Sequence, residues 1–470
     1  MHTMTPFSFP FTLRRSLALA SLGAWAALGA VASAQAQQPS GLAISARPTP
    51  TPVVQAVSVA APAPTPAPAA PVLSLRTLFE SALATHPLLQ SARLQARAAA
   101  QDVNAVERQR WATVSVIAET DTAQTTTSSA SRVLRLDQTV WDAGRNSARI
   151  GEAATQAEIA QAQIHVQQHD LFIQIINAWQ SLISATERLR VADATLARLD
   201  GFQAQMSRRV QADASPAIDL ELVQARVLQT RVERTTAETA TRVAITRLEQ
   251  LTSLSSLSPP GTLPALPPVP SLAQTQILAQ QLQSTDWQWV ASLLPAVRKA
   301  RLERNLVENR LQTKRAEQWP QLYVRYDQPL AATSTHSSTQ GSWFVGFRYT
   351  PGAGFSTHAE AQAMATRILS QDQAIEAAIR EAENGLQNDR EEFFNARNRI
   401  GALDLAVQGS EQVLDSYLRQ FQAGRKSWLD LLNAARELAQ NEYTLVDARA
   451  GLVGAMHRLQ LRMGQSPDFP

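Results

Sequence analysis

Two histidines four residues apart, His165 and His169 in the stretch HVQQHD, are the pair in this 470-residue chain best spaced to hold a metal ion. On a helix that spacing puts both imidazoles on one face. Position 166 is valine, so the glutamate base of a helical zinc protease is absent, and a solvated helix face is the simpler account. No cysteine occurs, which removes disulfides, thiol catalysis, thiolate metal sites and a cysteine-linked lipid anchor. No phosphate-cradling glycine loop or nucleophile constellation stands out, and no cofactor is inferred. The remaining candidates are charged residues in two short turns. Lys426 and Asp430 lie in QFQAGRKSWLDLLNAARE (Gln420 to Glu437), and Asp219 and Glu221 lie in RRVQADASPAIDLELVQAR.

These two stretches are copies. Arg208, Gln211, Ala212, Asp219 and Leu220 align with Arg419, Gln422, Ala423, Asp430 and Leu431 at a constant offset. Upstream, ARLQARAAAQDVNAVERQRW (Ala92 to Trp111) aligns with ARLERNLVENRLQTKRAEQW (Ala300 to Trp319), preceded by His86-Pro87 and Leu294-Pro295. Asp142-Ala143-Gly144 faces Gly352-Ala353-Gly354. An offset that drifts by only about three residues over the unit marks two structural copies differing by small loop insertions. The predicted layout is a first repeat over 74–253, a Pro-rich linker over 254–274, a second repeat over 275–464 and a tail over 465–470. Ahead of them, Arg14, Arg15, the apolar run Leu17 to Ala30 and the small residues at 32–36 read as a secretory signal over 1–34. The run is too short for a stable transmembrane helix. Residues 35–73 read as a Pro/Ala-rich leader that forms neither helix nor sheet. Without the signal the chain is close to neutral, so no basic field for nucleic acid is indicated.

In each repeat a helix is expected to end at Trp111 or Trp319 and give way to alternating runs. Leu134 and Leu136 alternate with Arg135 and Asp137. Leu322, Val324 and Tyr326 alternate with Arg325 and Asp327, and Val345, Phe347 and Tyr349 with Gly346 and Arg348. This is the period of strands with one apolar and one polar face. Each repeat therefore carries one β-hairpin, at about 112–141 and about 320–350. The rest is long helix. Steps of seven from Ile379 give Leu386, Phe393, Ile400, Val407, Leu414 and Phe421, with Ile375, Ala382, Asp389, Ala396, Leu403, Ser410 and Tyr417 as companions. That is a coiled-coil seam whose polar members face water or a charged partner. The helical hairpins turn near 209–220 and 421–431.

Four strands cannot close a barrel, and open edges are not tolerated in a bilayer. Yet the strands have the alternation and the bordering aromatics (Trp111, Trp141, Trp319, Trp343, Tyr349) of outer-membrane strands. Three chains would supply twelve strands. A soluble sheet capping a coiled coil is the alternative.

The doubled layout, LDQTVWDAGRNSARIGEA after the first hairpin, the turn motif QFQAGRKSWLDLLNAARE and the closing RLQLRMG resemble the TolC family of outer-membrane efflux and secretion ducts. The resemblance covers about Ser74 to Gly464. It implies a mainly α chain with a small transmembrane β part: long coiled-coil helices forming an α-barrel, and four strands per chain completing a 12-stranded β-barrel in a homotrimer. It further implies no enzymatic activity, a place in the outer membrane extending into the periplasm, and two partners. These are a periplasmic adaptor (a membrane fusion protein) and an inner-membrane transporter of ABC or RND type.

On the same resemblance, Asp430 and Lys426 fall at the periplasmic gate, with Asp219 or Glu221 as first-repeat counterparts. Asn433 replaces a second acidic position of some members. The turn residues Gly424, Arg425, Ser427, Trp428, Ala214, Ser215 and Pro216 would meet the adaptor. Arg135, Asp137, Arg325, Asp327 and Arg348 read either as charges facing the barrel lumen or as pairs within the sheet. Asp430 and Asp219 equally fit as first-turn residues favoured by the helix dipole. Two other classes stay open: a soluble periplasmic coiled-coil adaptor or scaffold, and a helical metalloenzyme using His165 and His169. The cargo, whether drug, metal ion or secreted protein, is left open.

Overall fold

A computed structural model describes residues 73–120, 130–254, 257, 266, 270–330 and 340–465. The expected signal, nearly all of the leader, most of both hairpin loops, most of the Pro-rich linker and the last five residues lie outside the described residues. The first repeat runs α1 (Leu75–Thr85), α2 (Pro87–Arg108), β1 (Thr113–Thr120), β2 (Ala130–Trp141), α3 (Arg145–Gln211), α4 (Ala217–Thr252). The second runs α5 (Leu272–Ser284), α6 (Trp287–Leu293), α7 (Pro295–Ala316), β3 (Gln321–Pro329), β4 (Ser342–Arg348), a 3₁₀ turn (Ala353–Phe355), α8 (Ser356–Gln422) and α9 (Trp428–Arg462).

The duplication is metrical as well as sequential. α2 and α7 each have 22 residues, α3 and α8 each have 67, and α4 and α9 have 36 and 35. At about 1.5 Å per residue, α3 and α8 are each roughly 100 Å long. Two boundaries differ from the sequence reading. α2 and α7 stop three residues short of Trp111 and Trp319, which are left exposed beyond the last turn. α5 begins at Leu272, inside the expected linker, because Ser271 and Gln274 form a reciprocal capping box that starts a helix there.

Local chemistry sets the other ends. Pro87 and Pro295 open α2 and α7 at positions where a missing N–H costs nothing, and force His86 and Leu294 to be extended. The Asp142 carboxylate accepts from the N–H groups of Gly144 and Asn146, at 3.1 and 2.8 Å, and so caps the start of α3.

The strands form one antiparallel sheet in the order β1-β2-β3-β4, so the β2–β3 contact joins the two repeats. β1 and β4 are both edges of this sheet. One face carries Val114, Val116, Val140, Trp343, Val345 and Phe347, all exposed. The other carries Ser115, Arg135, Asp137, Tyr323, Arg325, Asp327 and Arg348. Behind the sheet, α3 packs on α2 and α7, and α7 on α8. Toward the turns, α3 packs on α4 and α9, and α9 on α8. The core is a string of clusters along the helices instead of a single centre.

The predicted seam of α8 is present. Leu386, Phe393, Ile400, Leu414 and Phe421 are buried, while Val407 and Ile379 are half-buried. Its polar member Asp389 is buried too, and its charged partner is within the same chain. Arg458 of α9 donates from Nε to Asp389 Oδ1 at 2.6 Å and from Nη2 to Glu392 Oε2 at 2.6 Å. Its Nη1 reaches Asn177 Oδ1 and Gln180 Oε1 of α3, at 3.0 and 2.9 Å. Arg462 Nε lies 2.9 Å from Asp389 Oδ2. At Gly454 a Cβ would fall 1.9 Å from Gln180 Oε1, so a side chain there would displace the amide that accepts from Arg458. Because removing one member of a buried pair strands the other charge, Asp389→Asn should cost about 3–5 kcal/mol. Thermal unfolding in mild detergent would register this as a large fall in midpoint.

Candidate functional site

The two helical turns are built on the same hydrogen-bond plan. In the second, Arg425 N–H donates to Gln420 O at 2.8 Å and Gly424 N–H to Phe421 O at 3.0 Å. In the first, Ala214 N–H donates to Arg209 O at 2.8 Å and Asp213 N–H to Val210 O at 3.1 Å. Both are Schellman closures, which need a left-handed residue at the turn. Gly424 fills that position with φ +72°, and Asp213 fills it with φ +53°. Asp213 is thus the physical equivalent of the glycine, which the aligned sequences alone did not settle.

The next helix of each hairpin starts differently. Ser427 caps α9: its Oγ accepts from Asp430 N–H at 3.1 Å and donates to Asp430 Oδ2 at 2.8 Å. The Ser427 hydroxyl, and after it the Lys426 ammonium 3.7 Å away, hold the Asp430 carboxyl below its usual range. Lys426 also sits over the Tyr417 ring, 4.3 Å from its centroid. Asp430 is therefore a cap residue and an ionised carboxylate at once. In the first hairpin Pro216 occupies the cap position, with no side-chain cap bond. Ser215 accepts from Arg209 Nε at 3.1 Å, and Arg209 lies over the Phe421 ring of the other hairpin at 4.9 Å. Asp219 is half-buried and Glu221 exposed.

Trp428 departs from its expected role as an outward contact. It is 3 % exposed, because its ring fills the space between the hairpins against Phe202 and Phe421, with centroids 5.9 and 5.1 Å away. Its Nε1 donates to the Asp219 carbonyl at 3.0 Å, tying the second turn to the first. Gly424, Arg425, Ser427, Ala214 and Pro216 are exposed, and Ser215 is half-buried. Two residues missed in the sequence join them. Ile218 and Leu429 occupy equivalent places in the repeats and are 62 % and 53 % exposed. Their shared apolar character at one offset was the available signal.

On the polar face of the sheet, charges pair across the junction of the repeats. Arg135 donates from Nε and Nη2 to Asp327 Oδ1 and Oδ2, at 2.9 and 3.1 Å, and Arg325 Nε to Asp137 Oδ1 at 2.9 Å. Arg348 lies over the Tyr323 ring at 4.8 Å. His165 and His169 do not converge with further ligands, and no group of three or more His, Cys, Asp or Glu side chains able to hold a metal occurs among the described residues. His165 Nδ1 instead contacts Gln168 Oε1 at 3.2 Å.

A left-handed residue with a Cβ is strained by roughly 1–2 kcal/mol, less for aspartate than for branched residues. Nothing lies within 4 Å of a Cβ built at Gly424, so the cost there is purely conformational. Gly424→Val should accelerate amide exchange at Ala423 to Arg425 by about 5- to 30-fold. Asp213→Gly should slow exchange at Ala212 to Ala214. Equal exchange in all three proteins would mean that the turns do not limit local opening.

No protein-family model matches the chain. The cobalt-zinc-cadmium resistance protein CzcC of Cupriavidus metallidurans is 26% identical over 310 residues, covering 63% of this chain and 68% of that protein. The outer-membrane channel OprN superposes with a TM-score of 0.70 at 18% identity, over 83% of this chain and 90% of that one. The outer membrane protein VceC of Vibrio cholerae superposes with a TM-score of 0.71 at 15% identity, over 84% and 97%. Paired hairpins, the four-stranded sheet and the doubled long helices agree with these structures, and the chain has the TolC-type fold of outer-membrane channel proteins.

Proposed function

We propose that three copies of this chain form a passive exit duct of the outer membrane, which receives cargo from a periplasmic adaptor and an inner-membrane transporter. The observation that carries this reading is a sheet with one apolar face exposed and two edge strands, β1 and β4, each paired on one side only among the described residues. Unpaired N–H and C=O groups cost several kcal/mol each in hydrocarbon. Pairing β4 of one copy with β1 of the next satisfies both edges and closes twelve strands. The helices support the same join. In the row α2-α3-α7-α8 the outer members are α2 and α8, and in the row α4-α3-α9-α8 they are α4 and α8. Each copy would thus pair the side bearing β1, α2 and α4 with the next copy's β4 and α8. The interface is heterologous, and threefold rotation closes it.

In this assembly the apolar strand face meets lipid, and the Arg135, Asp137, Arg325, Asp327 and Arg348 face lines the lumen. The exposed turn residues, with Ile218 and Leu429, offer an adaptor hairpin apolar anchors beside Arg425. The cargo reading that the CzcC likeness supports is a divalent cation, as that protein's name records cobalt, zinc and cadmium.

Native mass measurement of the protein extracted from outer membranes in mild detergent should give three chains per particle. A monomer or dimer recovered from the soluble periplasmic fraction would sink the duct reading. Three Asp430 carboxylates near the axis would favour cations. Asp430→Asn should lower the cation-to-anion permeability ratio in planar bilayers, and an unchanged ratio would leave Asp430 as a helix cap alone.

A further inference from the structure

Away from the turns and the sheet, a groove of about 430 Å³ opens where the middle of α3 meets the α6–α7 turn and the end of α9. We propose that this groove binds a single-chain amphipathic anion, a carboxylate head carrying an aliphatic tail. Its volume falls in the roughly 300–1,000 Å³ range of small-molecule sites, and most of its wall is apolar. Phe172, Leu294, Leu461 and Met463 line it. Trp289 and Leu293, 61 % and 58 % exposed, stand at its margin as a patch that a monomeric surface would otherwise leave in water.

The charged residues that line the groove have one sign. Arg298 and Arg462 both line the groove, and no carboxylate is among the described residues that line it. The nearest acids are turned to other work. Asp389 approaches Arg462 from the α8 side at 2.9 Å, and Asp170 lies 3.6 Å from His169 Nδ1 with its own side chain mostly in water. Arg298 is exposed and enters no ion pair described for this chain. The imidazole of His169, which burial and then the nearby Arg462 keep below its ordinary pKa, adds a neutral hydrogen-bonding edge to the lining. An apolar groove whose charged lining is cationic disfavours metal cations and small inorganic anions alike. The former meet like charge, and the latter leave the apolar wall unused. What satisfies both ends is a fatty-acid-type carboxylate.

The test is photolabelling of the full protein in lipid nanodiscs by dodecanoate bearing a terminal diazirine, with labelled peptides located by mass spectrometry. Label is expected on two regions, the lipid-facing strands and the groove peptides at 162–172 and 289–298. Arg298→Glu, a change at an exposed site, should reduce groove labelling at least tenfold while strand labelling is kept, which shows that the variant is folded and inserted. A dodecanol probe with the same diazirine should label strands normally and the groove at least tenfold less. Labelling confined to the strands would overturn the proposal, by meaning that the groove is closed or covered by another copy. Groove labelling equal for acid and alcohol, or unaffected by Arg298→Glu, would also overturn it, by reducing the site to a nonspecific apolar patch.

Discussion

Arg458 is the residue on which the geometry of the long helices depends. α3 and α8 are roughly 100 Å long, and a heptad seam of that length is nearly self-similar under a shift of seven residues. Apolar burial alone discriminates weakly between such registers. Arg458 ends the degeneracy by bonding Asp389 and Glu392 on α8 and Asn177 and Gln180 on α3 at one height. A shift of one heptad would leave a buried guanidinium and a buried carboxylate without partners, at a cost of several kcal/mol. The cluster lies about 30 residues along α9 from Trp428, or roughly 45 Å. From that height, rigid helices carry the register to the turns at one end and to the sheet at the other.

The second tie between the repeats is Trp428. Two helical hairpins of nearly equal length could end at different levels, since only side-chain packing relates them. The Trp428 indole donating to the Asp219 carbonyl fixes the second turn against the first residues of α4, and Arg209 over Phe421 adds a contact from the opposite hairpin. Duplication supplies the equal lengths, and these cross-repeat bonds use them. The copies are not interchangeable. The first turn holds a left-handed aspartate and a proline cap, whereas the second holds glycine and a serine cap that also engages Asp430. Divergence of this kind places the helix-capping acid with a neighbouring lysine in one turn only.

Much of this was legible in residue types and spacing. Period two in RVLRLDQTVW and LYVRYDQ located the strands and their polar face, and period seven from Ile379 located α8 and its buried side. The aligned turn motifs located both hairpin ends within a few residues. What escaped were relations between segments far apart in the chain. Asp389 was visible as a polar break in an apolar seam, but its partner is 69 residues on, and nothing in the local pattern points to Arg458. Trp428 was read as an outward contact because it stands in an exposed turn. Its burial follows from the fit of the other hairpin, which local sequence does not encode. The left-handed role of Asp213 is of the same kind: alignment placed it opposite Gly424, and only the backbone shows that it adopts the glycine's angle.

The strand charges show how the junction of the repeats is held in register. Arg135 with Asp327 and Asp137 with Arg325 form a ladder of two oppositely directed pairs where the repeats meet. Slipping that register by one residue would set Arg135 opposite Tyr326 or Gln328 in place of Asp327 and turn the apolar set of β3 to the polar face. The ladder therefore discriminates against the misregistered junction more strongly than it stabilises the correct one, as half-exposed pairs contribute little on their own. Arg135 and Arg325 are each matched by a carboxylate, whereas Arg348 stacks on the Tyr323 ring, so the matched dipoles are confined to the junction of the repeats.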